Sequence, residues 1–286
     1  MTETAARPAL SDRYTATSGR VQLTGVQALA RLPIDQHRRD LAAGLNVGTF
    51  ISGYEGSPLA GDDPAAKSST LPCASDAALA DMNIPYLYPA DSQDVLDLGR
   101  HAIELSRASG LWVGLKIVTA MADGSSTVDL AADWPAPRLP AGAGTHAPTA
   151  RLLHPTLGQL ERDLVTNRLR LAKEYSRLNQ LNRIVGQRQG DVLGIDEDSL
   201  QSSRVRLLKI SMPWPLEETT VREFADGLQE IVVVEEKRSF LEAALRDILY
   251  GGPDQPAVTG KRDADGSARG PAPPGGCTRR SCGRWA

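Results

Sequence analysis

Two ligand-type loops follow one another directly within residues 49–69, TFISGYEGSPLAGDDPAAKSS, and this junction constrains the fold more than any other feature of the chain. Residues 49–52 form a short β-prone run, which is broken by Gly53 and Pro58. Ligands of open α/β sheets bind where strands end in such loops. A second loop begins at Gly61 with no helix or strand between the two. We therefore expect an α/β sheet that is short of strands at this point.

Composition narrows the classes of function. The 286 residues suffice for one large or two modest domains. A net charge of −3 gives no reason to expect nucleic acid or a membrane as a partner. No apolar run approaches the roughly 18 residues of a membrane span, and the polar first 20 residues have no secretory h-region. Three cysteines make no disulfide framework, so a reducing cytoplasm is the expected location.

Periodicity in the first half predicts a parallel sheet. A strand, a helix and a strand in sequence are typical of such a sheet when the intervening helix is amphipathic. The helix over residues 91–109 has the clearest pattern, with Asp91 as its cap and Gly110 as its stop. The predicted elements are helix 21–44, in which Pro33 kinks or breaks the helix, strand 49–52, helix 74–82, strand 84–88, helix 91–109 and strand 111–120.

The second half predicts another small α/β unit. Residues 129–148 are rich in Pro, Ala and Gly and are interpreted as a linker. Leucine spacing over residues 157–184 predicts a long helix, either a surface helix on a sheet or a short helix–helix seam. Residues 205–210, 216–228, 230–235 and 240–249 then read as strand, helix, strand and helix. The composition from about residue 260 predicts a disordered tail.

Three blocks of this sequence resemble 2-oxoacid:ferredoxin oxidoreductases of the indolepyruvate branch. Residues 53–58, GYEGSP, are similar to the GYPGTP-type loop of that family. Residues 61–125, from GDDPAAKSSTLPCASD to TAMADGS, are similar to the block that follows it. Residues 205–242, which include MPWPLEETTVREFADGLQEIVVVEEKRSFLE, resemble the transketolase C-terminal-like domain of the family. The three blocks occur in the family's order.

The resemblance implies a fold with two α/β domains. We expect an incomplete thiamine-diphosphate pyrimidine-type domain with a parallel sheet, followed by a transketolase C-terminal-like domain. The implied boundaries are a flexible N-terminus at 1–20, a first domain at 21–128 with an internal deletion near 60–62, a linker at 129–148, a second domain at 149–260 that is shortened near 190–203, and a disordered tail at 261–286.

The resemblance also implies an activity, which is the oxidative decarboxylation of an arylpyruvate-like 2-oxoacid to an acyl-CoA. Electrons would pass through iron–sulfur clusters to ferredoxin, and thiamine diphosphate with Mg²⁺ would supply the chemistry. The implied partners are the 2-oxoacid, CoA and ferredoxin, within a homo- or heterodimer. The cofactor-binding residues that it implies are Tyr54, Gly56, Ser57, Pro58, Asp63, Lys67 and Ser68.

The chain departs from the family pattern in ways that predict inactivity in isolation. Ala60 joins Gly61 directly, where the family has the segment that carries its cofactor-activating glutamate. Residues 192–203 are short for the strand and helix that open the second domain, and no GDG…N segment is present to hold Mg²⁺ and diphosphate. A pair of four-iron clusters requires about eight thiolates, whereas the chain has three cysteines. We therefore expect no catalytic residue in this chain.

The sequence leaves two alternative functions open. Residues 61–68 differ by one position from a Walker A loop, so a P-loop ATPase that uses Lys67 is an alternative. The paired aspartates and Pro64 disfavour it, because they place negative charge and a missing N–H where phosphates would lie. The other alternative is a non-catalytic binding or regulatory fragment that pairs with a complete paralogue.

Taken without the resemblance, residues 56–58 also fit a simple turn.

Remaining polar residues are interpreted as structural. The four histidines, His37, His101, His146 and His154, have no metal-ligand spacing. Glu235 ends a strand, where a structural or interface role is expected. The missing strands predict an open sheet edge near Ile51 or Val113, through which copies of the chain could associate.

Overall fold

The structure, a computed structural model, describes residues 10–49, 74–130, 134–144, 146–147, 149–151, 153–185, 205–235, 238–252, 254–262 and 267. The predicted strand at 49–52, both ligand-type loops and the predicted tail beyond 267 lie outside these residues, apart from Thr49. The helices are α1 Asp12–Thr15, α2 Gly25–Ala42, α3 Asp76–Asp81, α4 Ser92–Ser109, α5 Thr119–Asp123, α6 Thr156–Asp163, α7 Leu169–Leu178, α8 Glu218–Ala225 and α9 Leu241–Leu249. The strands are β1 Gly19–Thr24, β2 Tyr86–Leu87, β3 Gly114–Leu115, β4 Ser125–Leu130, β5 Asn182–Ile184, β6 Leu208–Ile210, β7 Glu230–Val232 and β8 Ala257–Thr259.

The predicted parallel unit in the first half is confirmed as β2–α4–β3. The two strands pair in parallel, with Tyr86 opposite Gly114. Helix α4 begins as predicted, because the Asp91 side chain accepts a hydrogen bond from the Asp94 N–H at 2.8 Å. It ends at Gly110, whose φ of 70° is the left-handed conformation that glycine adopts at low cost.

The predicted start of the helix at residue 21 is wrong. Residues 19–24 form β1, which pairs antiparallel with β4 from Gly19 opposite Leu130 to Thr24 opposite Ser125. Helix α2 begins after Thr24, which forms a capping box with Gln27. It then continues through Pro33 to Ala42, so the predicted break at Pro33 does not occur.

The second half contains the α/β unit that the sequence predicts, together with two additional strands, β5 and β8. Strands β7 and β8 are parallel, with Ile231 opposite Val258. Sequence reasoning missed β8, which lies directly before the residues that composition assigned to a disordered tail. Strands β5 and β6 pair antiparallel. The long helix predicted over 157–184 is present as α6 and α7, joined by a π-helical turn at Leu164–Arg168, but it ends at Leu178.

Three apolar clusters form the core. The first packs β1, β4 and the inner sides of α2, α4 and α5. The second joins α4 to α7, where Leu98, Ala102 and Leu105 meet Ala172 and Tyr175. Helix α7 therefore packs directly on another helix, which favours the helix–helix alternative over a surface helix on a sheet. The third cluster lies among α8, α9, β7 and β8.

Strand β2 connects the two halves of the chain. Its neighbour on one side is β3, and on the other the Tyr86 N–H donates to the Trp214 carbonyl at 3.0 Å. The Tyr88 N–H donates to the Ser211 carbonyl at 2.8 Å. Residues 211–214, which receive these bonds, are held in place by Asn182. Its Oδ1 accepts hydrogen bonds from the Ser211 and Met212 N–H groups at 2.9 and 2.8 Å.

Residues of the predicted linker are in contact with the first half. Leu130 ends β4, and the Gly144 N–H donates to the Ala108 carbonyl at 2.8 Å. Val113 is partly buried against the second cluster. The domain boundaries stay a prediction. Among the described residues, no helix combines the length and the apolarity that a membrane crossing requires.

Two glycines near helix starts provide a matched test of this packing. A Cβ at Gly25 would lie 3.0 Å from the Ala122 Cα and still closer to the Met121 carbonyl oxygen, whereas one at Gly158 meets no atom within 4 Å. We expect Gly25→Ala to lower the free energy of unfolding by about 1–3 kcal/mol. Gly158→Ala should raise it by about 0.5–1 kcal/mol, because alanine is the better helix former. Urea denaturation measures both, and equal effects would contradict the packing of α2 against α5.

Candidate functional site

The cofactor-binding residues predicted from the sequence lie outside the described residues. This applies to all seven, namely Tyr54, Gly56, Ser57, Pro58, Asp63, Lys67 and Ser68. Their role stays a prediction. The described residues instead place charged side chains at the carboxyl ends of both parallel strand pairs, the edge at which α/β proteins bind ligands.

At the end of β2 and β3, Asp76 holds two other side chains together. Its carboxylate accepts hydrogen bonds from the Tyr86 hydroxyl at 2.6 Å and from Lys116 Nζ at 2.9 and 2.8 Å. Lys116 follows β3 directly and its side chain is only 6% exposed. The Lys116 Nζ also lies 4.9 Å from the centre of the Tyr88 ring, a cation–π distance.

This cluster favours the charged form of its carboxylate. Burial disfavours a charged Asp76, but the hydrogen bonds from Lys116 and Tyr86 outweigh that cost, so the pKa of Asp76 lies below its ordinary value. A carboxylate with a lowered pKa is a poor proton acceptor near neutral pH. The Asp76–Tyr86–Lys116 cluster is therefore suited to positioning the strand ends and the start of α3 rather than to proton transfer.

The sequence contained a signal for this cluster that was not used. Lys116 is the lone charged residue in the apolar run LWVGLKIVTA at 111–120. A charged side chain in a buried strand requires a partner, because an unpaired buried charge is costly. That partner is 40 residues away, in α3, and the sequence alone does not identify it.

At the end of β7 and β8, Glu235 caps helix α9. Its carboxylate accepts from the N–H groups of Phe240, Leu241 and Glu242 at 3.0, 2.7 and 3.2 Å. Burial raises the pKa of Glu235 above its ordinary value, against the effect of these three hydrogen bonds. The structural role expected for Glu235 is in keeping with these bonds. Both Glu235 carboxylate oxygens thus bind the protein main chain.

Glu242 is a second carboxylate at the same edge, and it is fully buried. It accepts from the Ser239 hydroxyl at 3.1 Å, from the Lys261 N–H at 2.7 Å and from Arg246 at 2.9 Å. A Cβ at Gly260 would lie 2.9 Å from a Glu242 oxygen, so the chain passes directly over this carboxylate. Glu242 therefore fixes the chain that follows β8.

A third charged cluster lies between α2 and α4. The buried Asp35 pairs with Arg31 at 2.8 Å and with Arg100 at 3.4 Å, and Asp40 pairs with Arg107 at 2.8 Å. The Arg107 hydrogen bond lowers the pKa of Asp40 below its ordinary value, despite the opposing effect of burial. These contacts fix the rotation of α2 about its axis, because a rotated helix would leave buried charges without partners.

His101 belongs to the edge of that cluster and is held neutral. Its Nδ1 lies 3.0 Å from the Tyr175 hydroxyl, and its ring packs edge-on against Trp134 at 4.8 Å. Burial, with the neighbouring positive charge of Arg39, lowers the pKa of His101 to about 4. Burial raises the pKa of Tyr175 above its ordinary value. The pair therefore stays uncharged near neutral pH.

The described residues do not form a site that fits the cofactors implied by the resemblance. Within the described ranges, no group of three or more His, Cys, Asp or Glu residues is arranged to hold a metal ion. The carboxylates described above are already paired within the protein. An open groove of about 340 Å³ is lined by His146, Thr156, Gln159 and Asp163, with no cluster suited to Mg²⁺.

Comparison with known proteins gives the same family as the sequence blocks. Residues 187–270 match a family model described as an indolepyruvate oxidoreductase domain. Indolepyruvate oxidoreductase subunit IorA of Methanothermobacter thermautotrophicus is 28% identical over 183 residues, which cover 58% of this chain and 28% of the relative. Subunit IorA of Methanothermobacter marburgensis is 25% identical over 191 residues, which cover 63% of this chain and 31% of the relative. The match spans under a third of the length of these curated relatives.

The described residues define an α/β protein in which each of two parallel strand pairs ends at a cluster of paired charges. The resemblance that the three sequence blocks indicate is confirmed by the family model and by both relatives. Part of the chain is thus similar to proteins of the indolepyruvate oxidoreductase family.

The Asp76 cluster generates a pH-dependent prediction. Asp76→Asn should lower the free energy of unfolding by about 1–3 kcal/mol at pH 7, because Lys116 and Tyr86 lose a charged partner. The pKa of Asp76 is lower in the folded state than its value of 3.8 in the unfolded state. The wild type therefore keeps this stabilisation at pH values above 3.8 and loses it as the pH falls through the folded-state pKa. The difference between variant and wild type should therefore shrink below about pH 4.

Chemical denaturation at pH 7 and pH 3 measures this difference. Asp81→Asn, at the exposed end of the same helix, is the matched control and should change stability by less than about 0.5 kcal/mol. A difference between Asp76→Asn and the wild type that stays constant over this range would mean that Asp76 is not held charged.

Proposed function

We propose that this chain is a partial, non-autonomous copy of an indolepyruvate oxidoreductase. The reaction of the assembly would be the oxidative decarboxylation of an arylpyruvate to an acyl-CoA, with electrons passed to ferredoxin. The observation that carries this proposal is the match of residues 187–270 to the indolepyruvate oxidoreductase domain, next to the family-like blocks at 53–58 and 61–125.

The described residues would act in this assembly as a scaffold. The paired charges at the strand ends position α3 and α9 and the chain around them, and they leave the cofactor contacts to the loops. By resemblance, Tyr54, Gly56, Ser57 and Pro58 would face the cofactor and substrate, with Asp63, Lys67 and Ser68 in the next block. Thiamine diphosphate with Mg²⁺ would supply the decarboxylation chemistry when bound.

The same proposal implies dependence on a partner. Both relatives are described as subunits, which supports a role within an assembly rather than alone. The direct junction of Ala60 and Gly61 removes the segment in which the family carries its activating glutamate. A complete paralogue or a further polypeptide would therefore have to supply that part of the site.

The activity of the isolated chain tests the proposal. With thiamine diphosphate, Mg²⁺, CoA and indolepyruvate supplied, we expect no reduction of ferredoxin or viologen above background. We also expect no heat of thiamine diphosphate binding by calorimetry, because the missing parts of such a site act as a unit and not additively. An indolepyruvate oxidoreductase assembly that contains one of the IorA relatives, assayed in parallel, shows that the conditions support turnover.

Two results would overturn the dependence on a partner. One is tight binding of thiamine diphosphate by the chain alone. The other is viologen reduction that requires the 2-oxoacid and disappears in Ser57→Ala. Co-purification of the chain with a complete paralogue would favour the alternative of a non-catalytic binding or regulatory fragment.

The P-loop alternative makes an opposite and inexpensive prediction. A nucleotide cradled by Lys67 would stabilise the fold by about 2.7 kcal/mol at a concentration 100-fold above Kd. We expect no change in melting temperature with Mg-ATP or Mg-GTP, because the two aspartates near Lys67 repel phosphates. Thermal denaturation of the wild type and Lys67→Ala gives the answer. A nucleotide-dependent shift that Lys67→Ala abolishes would replace the oxidoreductase proposal.

A further inference from the structure

Residues 134–144, which lie within the predicted linker, run over α2, α4 and α7 as a strap without helix or strand. In the middle of the strap the Arg138 N–H donates to Asn179 Oδ1 at 2.8 Å, and Asn179 Nδ2 donates back to the Arg138 carbonyl at 2.9 Å. At its end the Gly144 N–H donates to the Ala108 carbonyl at 2.8 Å. Exposed segments held by few hydrogen bonds open locally, without unfolding of the whole protein.

Trp134 anchors the start of the strap on two arginines and a histidine. The centre of its ring lies 4.8 Å from Arg39 Cζ and 5.6 Å from Arg100 Cζ, both cation–π distances. The His101 ring packs against it edge-on at 4.8 Å. Arg39 also donates a hydrogen bond to the Trp134 carbonyl at 3.3 Å. Trp134 thus covers His101 at the place where α2 meets α4.

Positive charges surround the covered imidazole. Arg39 belongs to α2 and Arg100 to α4, so a proton on His101 would add a third positive charge beside Trp134. The one charged side chain of the strap itself, Arg138, is also positive. From α7, the Tyr175 hydroxyl lies 3.0 Å from His101 Nδ1 and carries no charge near neutral pH.

The neighbouring carboxylates are engaged with other partners. Glu104 of α4 pairs with Arg107, Asp97 of α4 accepts from Gln93, and Asp35 of α2 pairs with Arg31 and Arg100. In the part of the chain that the structure describes, no ion pair links His101 to a carboxylate. A protonated His101 therefore has no counter-ion while Trp134 covers it, and such a charge is costly.

We propose that residues 134–144 form an acid-sensitive strap, which opens when His101 takes up a proton. In the closed strap Trp134 packs on a neutral imidazole between two guanidinium groups. In the open strap water solvates the imidazolium. Opening detaches residues 134–144 from α2, α4 and the end of α7, whereas the main-chain bonds of β2 stay in place.

The two protonation equilibria define the pH range of the switch. Burial and the charge of Arg39 lower the pKa of His101 from 6.5 to about 4 in the closed strap. The open strap restores the ordinary value of about 6.5. Since the pKa is lowered in the closed form, the neutral imidazole favours the closed strap fully above pH 6.5 and progressively less as the pH falls to about 4.

Hydrogen exchange of the full chain without denaturant measures the opening. After correction for the pH dependence of intrinsic exchange, the opening constants of the Arg138 and Gly144 amides should rise about five- to 20-fold between pH 7 and pH 5. The Gly252 amide, bonded to the Leu249 carbonyl at the end of α9, is the control and should change less than about twofold. A rise below fivefold in the strap, or an equal rise at Gly252, would overturn the proposal.

Variants identify the histidine that is responsible. His101→Phe keeps a ring against Trp134 but cannot take up a proton, so its strap should open equally at pH 7 and pH 5. His146→Gln is the matched control, because His146 lies 3.6 Å from Asp163, where a proton would strengthen the contact. It should respond to pH as the wild type does. A response that survives in His101→Phe, or one that His146→Gln abolishes, would contradict the proposal.

NMR titration of the histidine rings gives an independent answer should His101→Phe fail to fold. The pKa of His101 should be about 4 in the wild type and should rise above about 5 in Trp134→Ala, which removes the cover and leaves the histidine in place. Trp112→Ala, which changes a tryptophan that is 84% exposed, should leave the pKa of His101 unchanged. A pKa of His101 that is the same in Trp134→Ala as in the wild type would show that the strap does not control its protonation.

Discussion

The main-chain hydrogen bonds of Tyr86 and Tyr88 are the contacts on which the described fold depends. Strand β2 has two residues, yet it pairs with β3 on one side and bonds to Trp214 and Ser211 on the other. The two halves of the chain are thereby joined by backbone groups, which do not depend on side-chain identity. Asn182 makes this join rigid, because it satisfies the N–H groups of Ser211 and Met212 that would otherwise be buried without partners.

Helix packing on both sides of β2 follows from this join. Helix α4 returns the chain from β2 to β3, and α7 lies on α4 through the second apolar cluster. On its other side α4 meets α2 through ion pairs in addition to the apolar contacts of the first cluster. A buried ion pair contributes little net stability but is costly to break, so it selects one orientation more than it strengthens the fold. In that orientation Val26, Ile34 and Leu41 of α2 are exposed.

Local signals in the sequence predicted the elements that are stabilised locally. Helix α4 has its cap at Asp91 and its left-handed stop at Gly110, and both are readable from residue type and position. The parallel pair β2 and β3 followed from the order of apolar runs. The start of α2 was misread because β1 passes directly into the helix at Thr24, and the capping pair Thr24 and Gln27 was the unused signal.

Contacts between distant residues could not be predicted in the same way. Strand β1 pairs with β4 about a hundred residues later in the chain. Asp76 likewise pairs with Lys116, which is 40 residues away. A single sequence gives no information on which distant segments meet. The burial of Arg31, Asp35 and Asp40 beside the apolar residues of α2 also departs from the rule by which only apolar faces are assigned to the core. The family was readable from the three sequence blocks, whereas the seven predicted cofactor-binding residues stay predictions, because they lie outside the described residues.

Native-state hydrogen exchange at the β2 join is the most direct test of the central claim, which is that the two halves form one cooperative unit. The amides of Tyr86 and Tyr88 should open with the same free energy as the Lys116 amide in the first half and the Val233 amide in the second. With added denaturant, the opening free energies of all four amides should converge on that of one common unfolding event. Exchange of Tyr86 and Tyr88 through a much smaller opening, with Lys116 and Val233 still protected, would show that the halves are independent.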